Sequence, residues 1–356
     1  MKRELHGSVV VITGASAGIG RATALRLADE GAKLVLAARR EDALEELAVE
    51  CEQRGSVALA VATDVADEPQ VQTLAQKAVD RFGRIDVWVN NAAVSAFGRF
   101  EETPPDVFRR VMETNFFGYV HGARAALRQF REQGHGTLIN VSSVVGVLGQ
   151  PYTSAYVSSK WAVRGLAETL RNELKLDDAK ELHVCTVLPA AIDTPLFRVA
   201  ANFTGRVAKP LDPVYEADRV AKTIVSLARK PRREVYVGPA GRLAALQHTL
   251  TPSLVETVFS RQVDRGHFED RVQAPTRGNL YEPLQGWATV SGGFIHRPQP
   301  KHHENGRSRS ALIAPALVAL GGAGAMSWFG LRRRQRRERR ASTVLQRAGE
   351  VLSTGR

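Results

Sequence analysis

A tyrosine and a lysine four residues apart, in the run Ser154-Ala-Tyr156-Val-Ser-Ser-Lys160, are the side chains of this chain best suited to moving a proton. A spacing of four puts both on one face of a helix. A phenol with its ordinary pKa of about 10 is a poor acid–base catalyst at neutral pH. A nearby cation favours the phenolate and lowers that pKa. The pair therefore suits proton exchange with an alcohol or carbonyl oxygen. By itself the spacing is common, and a tyrosine packed along a lysine stem is the ordinary reason for it. Other residues sharpen it. Ser143, thirteen residues before Tyr156, follows a strand expected over 136–142. Its hydroxyl could hold the reacting oxygen beside the phenol. Asn90-Asn91-Ala92-Ala93 follows a strand expected over 85–89, and Asn115 falls in a helix expected over 105–133. A lone buried asparagine is usually a structural hydrogen-bonder.

These residues need a scaffold, and the chain announces one at Val9-Val-Val-Ile-Thr13-Gly14-Ala-Ser16-Ala-Gly18-Ile19-Gly20. The β-branched run reads as a buried parallel strand. It breaks at Gly14, and a helix begins at about residue 18. A glycine-rich turn between strand and helix lets backbone N–H groups reach a pyrophosphate at a helix N-terminus. The glycine spacing, T-G-x-x-x-G-x-G, differs from the usual dinucleotide G-x-G-x-x-G. A second strand over 33–38 ends in Arg39-Arg40. An acid at this point would hold a ribose 2′-hydroxyl, whereas arginine accommodates a 2′-phosphate. With no acid closing the strand, the expected cofactor is NADP(H). The alternative is that both arginines are solvated loop charges.

The pattern continues along the chain. Strands are expected over 8–13, 33–38, 57–62, 85–89, 136–142, 182–188 and 233–237. Helices are expected over 18–30, 41–54, 68–82, 105–133, 154–177 and 216–229. Strands alternating with helices of this length imply βαβ crossovers and a parallel sheet. Ligands of such sheets bind beyond the carboxyl ends of the strands. Gly14, Asn91, Ser143 and Pro189 each follow a strand, so all four face one crevice.

With these motifs in order, the chain resembles the short-chain dehydrogenase/reductase family over residues 5 to about 240. The matching elements are Thr13 to Gly20, Asp64-Val65, Asn90 to Ala93, Asn115, Ser143, Tyr156-x-x-x-Lys160 and Pro189 to Thr194. Ala93 and Ala190 stand where the family usually has glycine. The resemblance implies a doubly wound, seven-stranded parallel sheet of Rossmann type. It implies a catalytic tetrad of Asn115, Ser143, Tyr156 and Lys160. Asn115 would then support a water-linked proton path, and Lys160 would also hold the nicotinamide ribose. Gly14, Ser16, Gly18, Ile19, Gly20, Arg39, Asp64, Val65, Asn91, Ala92, Pro189 and Thr194 would complete the cofactor site, with Ser143 and Tyr156 touching substrate. A homo-oligomer is expected on the same ground. The rival reading is a catalytically silent NADP-binding sensor or scaffold.

Composition bounds the rest. Two cysteines, Cys51 and Cys185, offer neither a disulfide framework nor metal-ligand spacing. His302-His303 reads as a solvated pair, and no metal is expected. The first residues enter a strand with no apolar signal-peptide core. The net charge is +12, yet residues 332–356 hold nine arginines against two glutamates. The high charge is thus mainly a tail property and gives the catalytic region no reason to bind nucleic acid.

The organisation expected is a catalytic domain over 1–260, a polar linker or loosely packed extension over 261–310, a transmembrane or membrane-embedded apolar helix over 311–331 and a basic tail over 332–356. Residues 191–215, with Leu196, Phe197, Val199 and Phe203, form a long connection that would close over an apolar substrate or pack on the domain. Residues 243–259 repeat leucines at helical spacing, which reads first as core packing and otherwise as a substrate wall or dimer face. The 21 uncharged residues of 311–331 are long enough to enter a bilayer. The arginines of 332–340 would add attraction to anionic lipid. Membrane lipid through 311–340, with the catalytic domain on the cytoplasmic side, is therefore expected. A soluble enzyme whose basic tail binds nucleic acid or an acidic partner is the alternative.

Overall fold

The computed structural model of the chain describes residues 4–295. Seven parallel strands form the central sheet: β1 (Val9–Thr13), β2 (Lys33–Ala38), β3 (Val57–Ala62), β4 (Val87–Asn90), β5 (Gly136–Val141), β6 (Leu182–Pro189) and β7 (Glu234–Val237). Their spatial order is β7-β6-β5-β4-β1-β2-β3, the doubly wound arrangement expected from the sequence. The order reverses between β1 and β4, which opens a crevice at their carboxyl ends.

Alternation along the strands explains the two packed faces. Val10 and Ile12 face one layer with Leu34, Leu36, Val87, Val89 and Ile139. Val9 and Val11 face the other with Val35, Trp88 and Leu138. Both sides of β1, β4 and β5 are buried, so these strands read as continuous apolar runs instead of alternating ones. Helix α1 (Gly18–Asp29) covers the first face through Ala24, Leu27 and Ala28. Helix α2 (Glu41–Gln53) adds Leu44 and Leu47. Helix α3 (Glu68–Phe82) covers the second face through Val71 and Leu74. It starts on Asp67, whose carboxylate accepts from the Gln70 N–H, and ends on Gly83 at φ 78°.

The helix expected over 105–133 is instead three pieces. Helix α4 (Pro105–Met112) runs into a π turn at Glu113–Phe117, and α5 (Gly118–Gln133) follows. Such a bulge re-aims side chains without ending the helix, and it carries Asn115. Helix α6 (Ser154–Leu176) supplies Tyr156 and Lys160. Neither Ala93 nor Ala190 takes a left-handed conformation; among the described residues only Tyr152 and Asp178 do so without being glycine. The two departures from the family pattern are therefore free of backbone strain.

Beyond β7 the structure differs from expectation. Helix α7 (Pro239–Leu250) and helix α8 (Pro252–Gly266) are present, but Leu243, Leu246, Leu250 and Leu254 are exposed. The helices bury Gly241, Ala245, Val255 and Val263 instead, so the leucine periodicity marks the outward face and not the core. The boundary expected at 260 also shifts. Phe268–Val272 pairs antiparallel with Arg206–Ala208, and residues through 295 pack on the same unit. Buried Phe97, Ala208 and Phe268 cluster there, and Leu280 is fully buried with Val94, Val107 and Val111. In the 191–215 connection, Val199 is buried, Phe203 packs beside that second cluster and Phe197 beside the first, so this segment uses its apolar residues on the domain. The apolar stretch 311–331, the basic tail and His302-His303 lie outside the described residues. Among the described residues no helix is long and apolar enough to cross a membrane.

Candidate active site

The turn after β1 has glycine at the places where a side chain would collide with neighbouring backbone. Gly14 and Gly18 have φ of +66° and +54°. A Cβ on Gly20 would lie 2.2 Å from the Gly14 carbonyl oxygen, and one on Gly14 would lie 2.7 Å from Ala92 Cα. The turn can therefore close only with glycine at both places. Thr13 and Asn91 brace it. Thr13 Oγ1 accepts from the Asn91 and Ala92 N–H groups, and Asn91 Nδ2 donates to the Thr13 and Gly14 carbonyls. Helix α1 has no side-chain cap, and its first N–H, that of Gly18, is met by the Thr289 carbonyl at 2.8 Å. An uncapped helix start behind a glycine turn fits a dinucleotide phosphate. Ser16 and Ile19 sit in the same turn, and Thr194 packs against Gly18.

Arg39 and Arg40 end β2, as the sequence places them, but Arg39 is not a solvated loop charge. Its Nη1 donates to the Leu280 and Tyr281 carbonyls at 3.1 and 3.0 Å, and Nη2 to the Asn279 carbonyl at 2.6 Å. Arg40 donates to the Leu284 carbonyl. Burial holds both guanidiniums below their ordinary pKa. Asp64 pairs with Arg110 and accepts from the Ala66 N–H, while Val65 is buried beside Gly118.

The four residues expected to form the catalytic tetrad are carried by α6, the end of β5 and the π turn. Lys160 is almost wholly buried, and its Nζ donates to the Val141 carbonyl at 2.9 Å and to Tyr119 Oη at 3.4 Å. It stands 5.5 Å from the centre of the Tyr156 ring. Ser143 Oγ lies close enough to the Tyr156 phenol to lower its pKa, and it donates to the Pro189 carbonyl at 3.5 Å. Asn115 is fully buried. Its Oδ1 accepts from the Val94 N–H, and its Nδ2 donates to the Val94 carbonyl and to Ser159 Oγ. Ser159 in turn donates to the Tyr156 carbonyl, so Asn115 fixes the first turns of α6 through the backbone.

Electrostatics here differ from the simple sequence argument. Burial pushes the Tyr156 phenol up to about 12, opposed by the Ser143 hydrogen bond. Burial pulls Lys160 down to about 7. Desolvation disfavours both charged forms, and in this structure it outweighs the attraction between them. A phenol that is protonated at neutral pH is a proton donor, which suits reduction of a carbonyl.

Sequence reasoning missed three contributors. Tyr119 shares the Val141 carbonyl with Lys160; it lies one helical turn after Asn115, which was the available signal. Thr13 was quoted as part of the turn without a role. Asp193 is buried and accepts from Ser291 Oγ and from the Gly292 and Phe294 N–H groups, a contact that no local pattern announces.

Known proteins match this arrangement. The family model of short chain dehydrogenases matches residues 8–203. An uncharacterized oxidoreductase of Bacillus subtilis, YxnA, is 35% identical over 336 residues, covering 93% of this chain and 92% of the relative. The 3-ketodihydrosphingosine reductase of Mus musculus is 37% identical over 268 residues, covering 73% and 80%. Among solved structures, a short chain dehydrogenase/reductase from Burkholderia phymatum in complex with NAD aligns with a TM-score of 0.65 and 28% identity, over 76% of this chain and all of that one. An alcohol dehydrogenase from Thermococcus sibiricus complexed with 5-hydroxy-NADP aligns with a TM-score of 0.57 and 32% identity, over 65% of this chain and 96% of that one.

Proposed function

The chain belongs to the short-chain dehydrogenase family, and from that premise we propose that it is an NADP(H)-dependent oxidoreductase of an apolar ketone or alcohol, worked by Asn115, Ser143, Tyr156 and Lys160. That it is a dehydrogenase or reductase acting on CH–OH or carbonyl groups with a nicotinamide cofactor follows from the family. The observation that carries the finer reading is Tyr156 and Lys160 on one face of α6, with Ser143 against the phenol.

Each residue then has a task. Gly14, Ser16, Gly18, Ile19 and Gly20 would hold the phosphates, Asp64, Val65, Asn91 and Ala92 the adenosine side, and Pro189, Thr194, Tyr156 and Lys160 the nicotinamide side. The cofactor, when bound, supplies or accepts the hydride. Ser143 Oγ and the Tyr156 phenol hydrogen-bond the substrate oxygen. Tyr156 gives that oxygen a proton as the carbonyl is reduced, or takes one as the alcohol is oxidised. In its protonated form, which burial confines to pH near and below about 7, Lys160 would place positive charge beside the phenol and favour its anionic form once the proton has left. Asn115 holds the start of α6, so the phenol keeps its aim.

Arg39 and Arg40, with no acid between them and the end of β2, support NADP(H) over NAD(H). The reductase relative named for 3-ketodihydrosphingosine supports a substrate with a carbonyl on an apolar body. Membrane attachment through 311–340 and a homo-oligomer complete the reading, the first resting on the uncharged run and its arginines. The test is turnover of purified full-length protein with NADPH and with NADH over a panel of apolar carbonyl compounds. NADPH should be preferred at least tenfold, and Arg39→Asp should reverse the order. A wild-type preference for NADH would remove the cofactor assignment, and cofactor binding with no turnover of any carbonyl would indicate a silent sensor.

A further inference from the structure

The donors that a dinucleotide would need are already engaged by the chain itself. Residues 276–294 cross the crevice from one side to the other. The segment begins where Thr276 and Asn202 exchange backbone hydrogen bonds at 2.8 and 2.9 Å. Arg277 and Tyr281 Oη both bond Asp106. Asn279 donates to the Val199 carbonyl, and Leu280 is fully buried beside Val94 and Val111. The carbonyls of 279, 280 and 281 surround Arg39, and that of Leu280 also takes the Arg110 Nε–H at 3.0 Å. The chain then passes Arg40 at Leu284. It reaches the glycine turn, where the Gly18 N–H donates to the Thr289 carbonyl at 2.8 Å. It is fixed beyond by Asp193, which receives Ser291 Oγ and the Gly292 and Phe294 N–H groups at 2.6 to 3.0 Å.

Two features of this course bear on ligand binding. A guanidinium ringed by three acceptor oxygens is in the setting a phosphate would give it. The first N–H of an uncapped helix is the group that meets a pyrophosphate, and here it meets a carbonyl oxygen. The strap is also closely fitted. A Cβ on Gly292 would lie 2.3 Å from the Thr194 carbonyl oxygen, and one on Gly278 would lie 2.2 Å from that of Val199.

We propose that residues 276–294 are an internal competitor of the dinucleotide: their main-chain carbonyls hold Arg39 and the Gly18 N–H in place of the 2′-phosphate and pyrophosphate oxygens, and the strap must leave for cofactor to bind. The proposal rests on the cofactor assignment above. At Gly18 a single N–H cannot point at both acceptors, so strap and nucleotide exclude each other there; at Arg39 the strap takes three of the five guanidinium N–H donors and so competes for the group. Cofactor affinity then includes the work of opening the strap, which lowers it by the fraction of molecules that are open.

The direct test is hydrogen exchange on the unaltered full-length protein, with and without saturating NADPH. Backbone amides of Asn279, Gly292 and Phe294 should exchange at least fivefold faster with NADPH. Slower or unchanged exchange there, with NADPH bound, would mean that the strap covers the cofactor and would overturn the proposal. Calorimetry adds a second arm. Leu280→Ala and Gly292→Ala, which loosen the strap at its buried and its close-fitted points, should each bind NADPH at least fivefold more tightly than wild type. Unchanged or weaker binding by folded variants would also overturn it, while leaving the cofactor assignment intact. Failure of wild type and both variants to bind NADPH or NADH would remove that assignment and the strap proposal with it.

Discussion

In the proposed reaction Tyr156 and Lys160 set the chemistry, and their environment sets the sign of its pH dependence. Lys160 has a pKa of about 7 in the folded chain, pulled down by burial from the ordinary value near 10.5. Between those values the unfolded chain binds a proton that the folded chain lacks, so stability rises with pH from about 7 to about 10.5. Below that window the cost of the buried charge is present in full. Lys160→Met should flatten this rise by a few kcal/mol, since one pKa unit corresponds to about 1.4 kcal/mol. Urea unfolding of wild type and variant at pH 7 and pH 10 checks this; equal pH slopes would contradict a desolvated lysine. At this scale the sequence was informative about identity and less so about state. The spacing of Tyr156 and Lys160 was plain, but their relative burial depends on Tyr119, Val141 and the layers around them, which no local pattern encodes.

Elements were legible where period and punctuation agreed. The strands of the sheet follow from apolar runs ended by Gly14, Arg39, Asn90 and Ser142, and their order follows from crossover helices between them. Three things stayed hidden. The π turn at Glu113–Phe117 keeps helical periodicity nearly intact, so it looked like uninterrupted helix. The leucines of 243–254 carried the right spacing, but spacing does not say which face turns inward. The strap acts through backbone carbonyls, which have no residue signature at all. Its approach, past Phe268, is anchored by His267, packed edge-on against Phe97, Phe197 and Phe268. Burial lowers that imidazole to about 4, with the nearby Lys209 charge acting the same way and its backbone hydrogen bond opposing. Gln150 Nε2 lies 3.1 Å from His267 Nε2. Stability from this group is therefore present above about 6.5 and lost as pH falls through about 4. His267→Leu should lose less stability than wild type between pH 7 and pH 4.5, by about 1 to 3 kcal/mol. A thermal-melt series across that range would reject the assignment if both proteins fell in parallel.

For the whole molecule, the account joins a crevice at the carboxyl ends of the strands, a strap across it and an uncharged stretch with nine following arginines in the last 25 residues. Hydrophobic insertion resists salt, whereas a purely electrostatic contact is screened. Full-length protein should stay with vesicles containing anionic lipid after a 1 M salt wash (a Debye length of about 3 Å). Release by salt alone would favour a solvated tail. In the proposed reaction Tyr156 moves the proton as a carbonyl is reduced. Tyr156→Phe in the full-length protein tests this, with NADPH binding and NADPH oxidation measured on the same carbonyl substrate. Binding should stay within about threefold of wild type, while turnover should fall by a factor of 10² or more, the usual size of a lost general acid. Turnover at the wild-type rate by Tyr156→Phe, with cofactor bound, would contradict the account.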